Sequence, residues 1–177
     1  MGSSASSSAG APDWSGRVCF YLKPDSSVGV MVIDHKGVCY DMKSIIDEKE
    51  TIENIVIYKH PLKYWQPQLT ESIINHQFVV IKTSQRWWSI EKNNEGITIQ
   101  NSSNREFVKD SFKKNKRPGD ITELRSANGR GTMFELVSYL CNDTELLKPY
   151  TWRTYNCQHF ADGIYKKFAL IHEDSSP

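Results

Sequence analysis

The sequence predicts an α+β fold in which an antiparallel sheet packs against a helix that starts at Asn156. Three observations predict it. Short β-branched and aromatic runs separated by turn-forming residues recur between Val18 and Gln100. The turns within 77–100 span only a few residues, which joins consecutive strands antiparallel. Near the C-terminus Phe160, Ile164 and Phe168 are spaced by four, the apolar stripe of a helix.

In chain order, residues 1–13 (MGSSASSSAGAPD) hold almost nothing to bury and are expected to be a disordered tail. Residues 14–177 are expected to form a single domain, with an N-terminal β extension over 14–70 and a core over 71–171. In the extension, 18–22, 29–33 and 38–42 read as strands of a small meander, with turns at Pro24–Ser27 and Asp34–Gly37. Residues 45–54 read as helical or irregular, and 55–58 as a short strand. Pro61 and Pro67 bracket a connection that carries Tyr64 and Trp65.

In the core, 77–83, 87–92 and 97–100 read as three strands. Alternation puts Trp87, Ser89 and Glu91 on one face and Trp88, Ile90 and Lys92 on the other. Residues 103–116 have Phe107, Val108 and Phe112 at helical spacing, and the basic run 113–117 reads as its solvated end. Thr132-Met-Phe-Glu135 fits a capping box, starting a helix that buries Phe134, Leu136, Val137 and Leu140.

Composition narrows the function. The 177 residues carry a net charge of +1, which supplies no field for nucleic acid. No apolar run is long enough to span a bilayer, and no secretion signal opens the chain, so a cytoplasmic protein is expected. Met1-Gly-Ser-Ser-Ala-Ser6 fits the loose pattern for N-myristoylation at Gly2, which would add peripheral membrane contact. The four cysteines form no CxxC pair, so neither a metal nor another cofactor is expected. Cys19, Cys39 and Cys141 read as small buried thiols.

Cys157 reads differently. Asn156 is a good N-cap, so Cys157 falls in the first turn of its helix. There, unpaired amides and the positive helix end favour a thiolate and can face the oxyanion its attack creates. A buried structural thiol fits the same residues. A nucleophilic thiolate needs a base. His76 opens a strongly β run and is the better candidate; His159 follows Cys157 by two residues and points elsewhere, and His35, His60 and His172 read as solvated. A hairpin turning at 84–86 puts His76 opposite residues near 93, so Glu91 is within two positions, with Ser89 on the same face. Either could orient the imidazole.

These residues carry a resemblance. Asn156-Cys-Gln-His-Phe160 resembles the NCEHF box of the lecithin:retinol acyltransferase family, and equally the NCNHF box of the PPPDE isopeptidases, both within the papain-like superfamily that includes NlpC-type peptidases. In both families a strand-borne histidine precedes the cysteine, as His76-Gln-Phe-Val-Val80 does here, and Trp88-Ser-Ile-Glu91 resembles the strand that follows. The likeness covers about 75–170. It departs where the acyltransferases carry a second histidine and this chain has Glu91 or Ser89, where a small residue is expected and Phe78 stands, and at Gln158. The resemblance implies a permuted papain-like domain and a cysteine-dependent acyltransferase or hydrolase, with Cys157 as nucleophile, His76 as base and Glu91 as third group. The implied partner is an acyl-lipid or a peptide or isopeptide substrate. The same fold without catalysis would be an interaction module, for which five tryptophans supply surface.

Overall fold

A computed structural model describes residues 18–22, 31–33, 45–62, 75–113, 115–142, 145–146, 148–151 and 154–171. The tail with its Gly2 pattern, the 38–42 strand, the Tyr64–Trp65 connection, Cys39, His35, His172, Trp14 and Trp152 lie outside the described residues.

The protein is α+β. Seven strands form one sheet: β1 (Val18–Leu22), β2 (Met31–Ile33), β3 (Ile52–Pro61), β4 (Asn75–Thr83), β5 (Trp87–Asn93), β6 (Gly96–Ser102) and β9 (Thr122–Asn128), in the order β2-β1-β6-β5-β4-β3-β9. Every pair is antiparallel except β1 with β6, which is parallel. A separate hairpin joins β7 (Ser111–Phe112) to β8 (Asn115–Lys116). Three helices are described: α1 (Arg105–Asp110), α2 (Met133–Asn142) and α3 (Cys157–Phe168). None is long and apolar enough to cross a membrane.

The centre of the sheet follows from β-branched sequence. In β3 and β4, Ile55, Ile57, Val79 and Ile81 meet Trp88, Ile90, Ile97 and Ile99 on one face, where α2 and α3 cover them. The other face is smaller, with Val56, Tyr58, Phe78 and Val80 under Val108 of α1. The β5–β6 turn closes because Asn93 Oδ1 accepts from the amides of Glu95 and Gly96 at 2.9 and 3.1 Å. The capping box forms in both directions, Thr132 N to Glu135 Oε2 at 2.8 Å and Glu135 N to Thr132 Oγ1 at 3.1 Å. Helix α2 buries Met133, Leu136, Val137 and Leu140, with Phe134 only half-buried. Helix α3 buries its expected stripe of Phe160, Ile164 and Phe168 and packs across β3, β4 and β5.

Several expectations are corrected. The 55–58 strand runs ten residues and is internal to the sheet. The 103–116 helix stops at Asp110, because the Gln100 side chain takes the Ser111 carbonyl (3.1 Å) and the Lys113 amide (2.8 Å) and draws the chain into a hairpin. Within the run 113–117, Arg117 is therefore no solvated helix end; it is 2% exposed. Strand β9 has no counterpart in the sequence reading. Cys19 and Cys141 are half-buried rather than buried.

Candidate active site

Asn156 caps α3, its Oδ1 accepting from the amides of Gln158 (3.0 Å) and His159 (3.3 Å). The cap sets Cys157, 4% exposed, in the first turn against the start of β4, with Sγ 3.9 Å from the Asn75 carbonyl oxygen. The first-turn amides are not left open for an oxyanion, as the sequence reading expected. Those of Gln158 and His159 belong to the cap, and the Cys157 N–H meets the Tyr150 hydroxyl.

Strand β4 carries His76 to the sulfur. The β3–β4 register pairs His60 with His76 and Tyr58 with Phe78. The β4–β5 register, Val79 with Ile90 and Val80 with Ser89, extends to place Glu91 diagonal to His76 on the same face. His76 Nε2 lies 2.8 Å from Glu91 Oε2, and a side-chain hydrogen bond joins His76 to Cys157. Since Nε2 is committed to the carboxylate, Nδ1 is the nitrogen left for the thiol. Ser89, the other candidate for the third position, instead accepts from Gln100 Nε2 at 2.9 Å.

The electrostatics favour charge separation. Burial works against the charge on His76, but the hydrogen bonds to Cys157 and Glu91 outweigh it and hold the imidazole up at about 9. Burial pushes the Cys157 thiol up, yet His76, the Gln77 amide and the Tyr150 hydroxyl bring it below its ordinary value. Burial likewise opposes the Glu91 carboxylate, and the Arg117 guanidinium and His76 together hold it down at about 2. The shifts thus run in the direction that favours a proton on His76 and charge on Cys157 and Glu91.

Three residues at the site were missed in the sequence. Tyr150 hydrogen-bonds Cys157; burial and the neighbouring Cys157 sulfur push its phenol up to about 12, so it stays a donor. The segment that delivers it is anchored by Lys92, whose buried ammonium donates to the carbonyls of Glu145 (3.0 Å) and Lys148 (2.6 Å), and by the Tyr155 hydroxyl on Glu145. Arg117 grips Glu91 with both guanidinium nitrogens. His60, expected in solvent, is 7% exposed and lies 5.3 Å from His76 between ring centroids. No local periodicity marks Tyr150 or Arg117. His60 alone had a signal, since a strand read through to Pro61 pairs it with His76.

His159 is exposed and bonds the Asn156 side chain (2.9 Å). A cavity of about 260 Å³ opens beside His76 and Glu91, walled by His60, Leu62, Phe112 and Lys116. Among the described residues no cluster of His, Cys, Asp or Glu is arranged to hold a metal ion.

Tyr150→Phe removes the hydroxyl and nothing else. Losing one hydrogen bond to a charged sulfur is worth about 1.5–3 kcal/mol. The expected result is an upward shift of about one unit or more in the Cys157 thiol titration, read by the pH dependence of its alkylation.

No family model, curated protein or solved structure matches this chain.

Proposed function

We propose that the protein is a thiol-dependent acyltransferase or hydrolase acting on ester, thioester or amide carbonyls, on a permuted papain-like domain. The observation that carries this reading is the continuous contact Cys157–His76–Glu91. An interaction module has no need to keep a thiolate against an imidazolium, or to bury a carboxylate behind it.

The residues support the following chemistry. The Cys157 thiolate attacks the carbonyl carbon and the carbonyl oxygen takes the negative charge. The Tyr150 hydroxyl, which bonds Cys157, can donate to that oxygen once the sulfur has spent its charge. As the tetrahedral species collapses, His76 gives its proton to the leaving alcohol, thiol or amine, and a thioester remains on Cys157. Neutral His76 then takes a proton from water or from an acceptor amine or alcohol, which attacks the thioester. Collapse returns the thiolate and releases an acid or a transferred acyl group. Glu91 stays ionised throughout and stabilises the imidazolium.

Acyl transfer or lipid hydrolysis is the leading substrate class and isopeptide cleavage the alternative, the Asn156–Phe160 box resembling both families. Incubation with an activated acyl ester or thioester, and separately with a ubiquitin-like electrophilic probe, followed by intact-mass and peptide analysis, tests the reading. An acyl adduct on Cys157 that is absent from Cys157→Ser is expected. No adduct with either probe on folded protein overturns it, and an adduct with the ubiquitin-like probe alone selects the isopeptidase.

A further inference from the structure

The residue behind the third group is built in more heavily than a counter-ion requires. Arg117 Nη1 donates to Glu91 Oε2 at 3.0 Å and Nη2 to Glu91 Oε1 at 2.5 Å, a two-pronged grip on one carboxylate. The two side chains are 1% and 2% exposed. Arg117 Nε donates to the Lys109 carbonyl at 3.0 Å and its backbone amide to the Asp110 carbonyl at 2.8 Å, so the C-terminal end of α1 holds it from behind. The guanidinium carbon lies 3.7 Å from the Phe78 ring centroid and 5.5 Å from that of Phe112. The chain then turns at Gly119 (φ +62°), where a Cβ would come within 2.3 Å of Pro61 Cγ, so the turn that seats Arg117 demands glycine.

Two imidazoles face this pair. His76 of β4 takes Glu91 Oε2, which is shared with Arg117 Nη1. His60 of β3 donates from Nδ1 to the Pro61 carbonyl at 2.7 Å, which leaves Nε2 as the acceptor facing Arg117 Nη1 at 3.4 Å. His60 is held neutral, down at about 4, by burial and by the charges of Arg117 and His76. Across the site lie Cys157 of α3, on the far side of His76, and the Tyr150 phenol beside it, while Lys116 of β8 lines the cavity next to Arg117.

We propose that Arg117 is a positioning residue of the candidate active site: its guanidinium keeps Glu91 ionised and oriented, so that His76 holds Nε2 on the carboxylate and offers Nδ1 to Cys157. A carboxylate this buried, with an imidazole as its only partner, would share or take the imidazole's proton, and the thiolate would lose its counter-charge. With Arg117 in place both Glu91 oxygens are claimed by a group that cannot give up a proton, so the proton stays on His76. The Phe78 ring supports the grip by lying under the guanidinium.

This inference rests on the thiolate–imidazolium reading, and the test separates the two. Alkylation of Cys157 by limiting iodoacetamide, followed by peptide mass spectrometry from pH 4 to 9.5, is compared in the parent, R117M, R117K, E91Q and E91Q/R117M. In the parent a limb well below the ordinary thiol range is expected; a limb near ~8.5 overturns the thiolate reading itself. In R117M the limb is expected to rise by about one unit or more, with a rate about threefold slower at pH 6 and within about threefold of the parent at pH 9. R117K, which keeps the charge without the fork, is expected to recover about half the shift. In the E91Q background, R117M is expected to add no further shift, because Arg117 acts through Glu91. A merely structural arginine would lower the melting temperature and leave the limb in place. An unmoved limb in R117M, or an equal shift with Glu91 already replaced, overturns the proposal while leaving the thiolate reading standing. If R117M does not fold, R117K decides: an upward shift of about half a unit supports the proposal and an unchanged limb refutes it.

Discussion

His76→Ala is expected to abolish turnover and to make Cys157 titrate as an ordinary thiol. Loss of a single member of such a unit costs on the order of 10⁴-fold or more in turnover, because proton transfer and thiolate formation fail together. The effect on alkylation is smaller, for a physical reason. At pH 6.5 a thiol with a pKa near ~8.5 is about 1% thiolate, so losing the imidazolium removes about 100-fold in thiolate. A thiolate of higher pKa is intrinsically more nucleophilic, by about tenfold over two units. The net expectation is roughly tenfold slower alkylation at pH 6.5 and alkylation at pH 9 that is several-fold faster than the parent's. Equal slowing at both values would show that the histidine packs against the sulfur without ionising it.

Glu91→Ala is expected to be the most destabilising single change at the site. It strands the Arg117 guanidinium, 1% exposed, with no opposite charge, and breaking a buried pair in this way costs about 3–5 kcal/mol. The pH dependence gives a second reading. Glu91 is held at about 2 against 4.5, so its contribution is present above pH 4.5 and lost as pH falls towards 2. His60, lowered from 6.5 to about 4, contributes stability that is present above pH 6.5 and lost on the way down to 4.

His76 and Cys157 act in opposite senses. His76, raised from 6.5 to about 9, contributes stability that is complete below pH 6.5 and lost as pH rises through 9. Cys157, lowered from 9.0, contributes stability that grows as pH rises towards 9.0. Between 6.5 and 9 the two therefore oppose one another. The expected profile climbs from acid to about pH 6.5 as Glu91 and His60 reach their folded-state charges. In Glu91→Ala the climb is expected to be shallower below pH 4.5. Denaturation midpoints measured from pH 3 to 8 check this, and an unchanged acid limb would remove Glu91 from the charged network.

Local chemistry made much of the site legible. Asn156 before Cys157 is a cap in any context, and the cap alone puts the thiol at a helix start. Strand alternation and the short 84–86 turn carried Glu91 to His76, because residues of a tight hairpin have few registers open to them. What stayed hidden depends on tertiary structure. Strand β9, TELRSAN, lies at the sheet edge with every residue but Ala127 exposed, so no apolar alternation announces it. Arg117 stands in a run of lysines that local rules assign to solvent, and only Glu91, Phe78 and the carbonyls of α1 together make its burial favourable. Of the 103–116 helix only Val108 is buried as the spacing expected; Phe107 is exposed and Phe112 is drawn into a strand by two hydrogen bonds from Gln100. Tyr150 comes to the sulfur through a segment held by Lys92 and Glu145, contacts that no periodicity encodes.

The proposed function requires that Cys157 be a thiolate at rest because His76 holds the proton. The most direct measurement is a limiting dose of iodoacetamide on the folded protein at pH 6.5, with each of the four cysteines followed by peptide mass spectrometry. Cys157 is expected to be modified first, although it is only 4% exposed, ahead of the half-buried Cys19 and Cys141. Alkylation of Cys19, Cys39 or Cys141 ahead of Cys157 would contradict the account and leave the site a structural cluster.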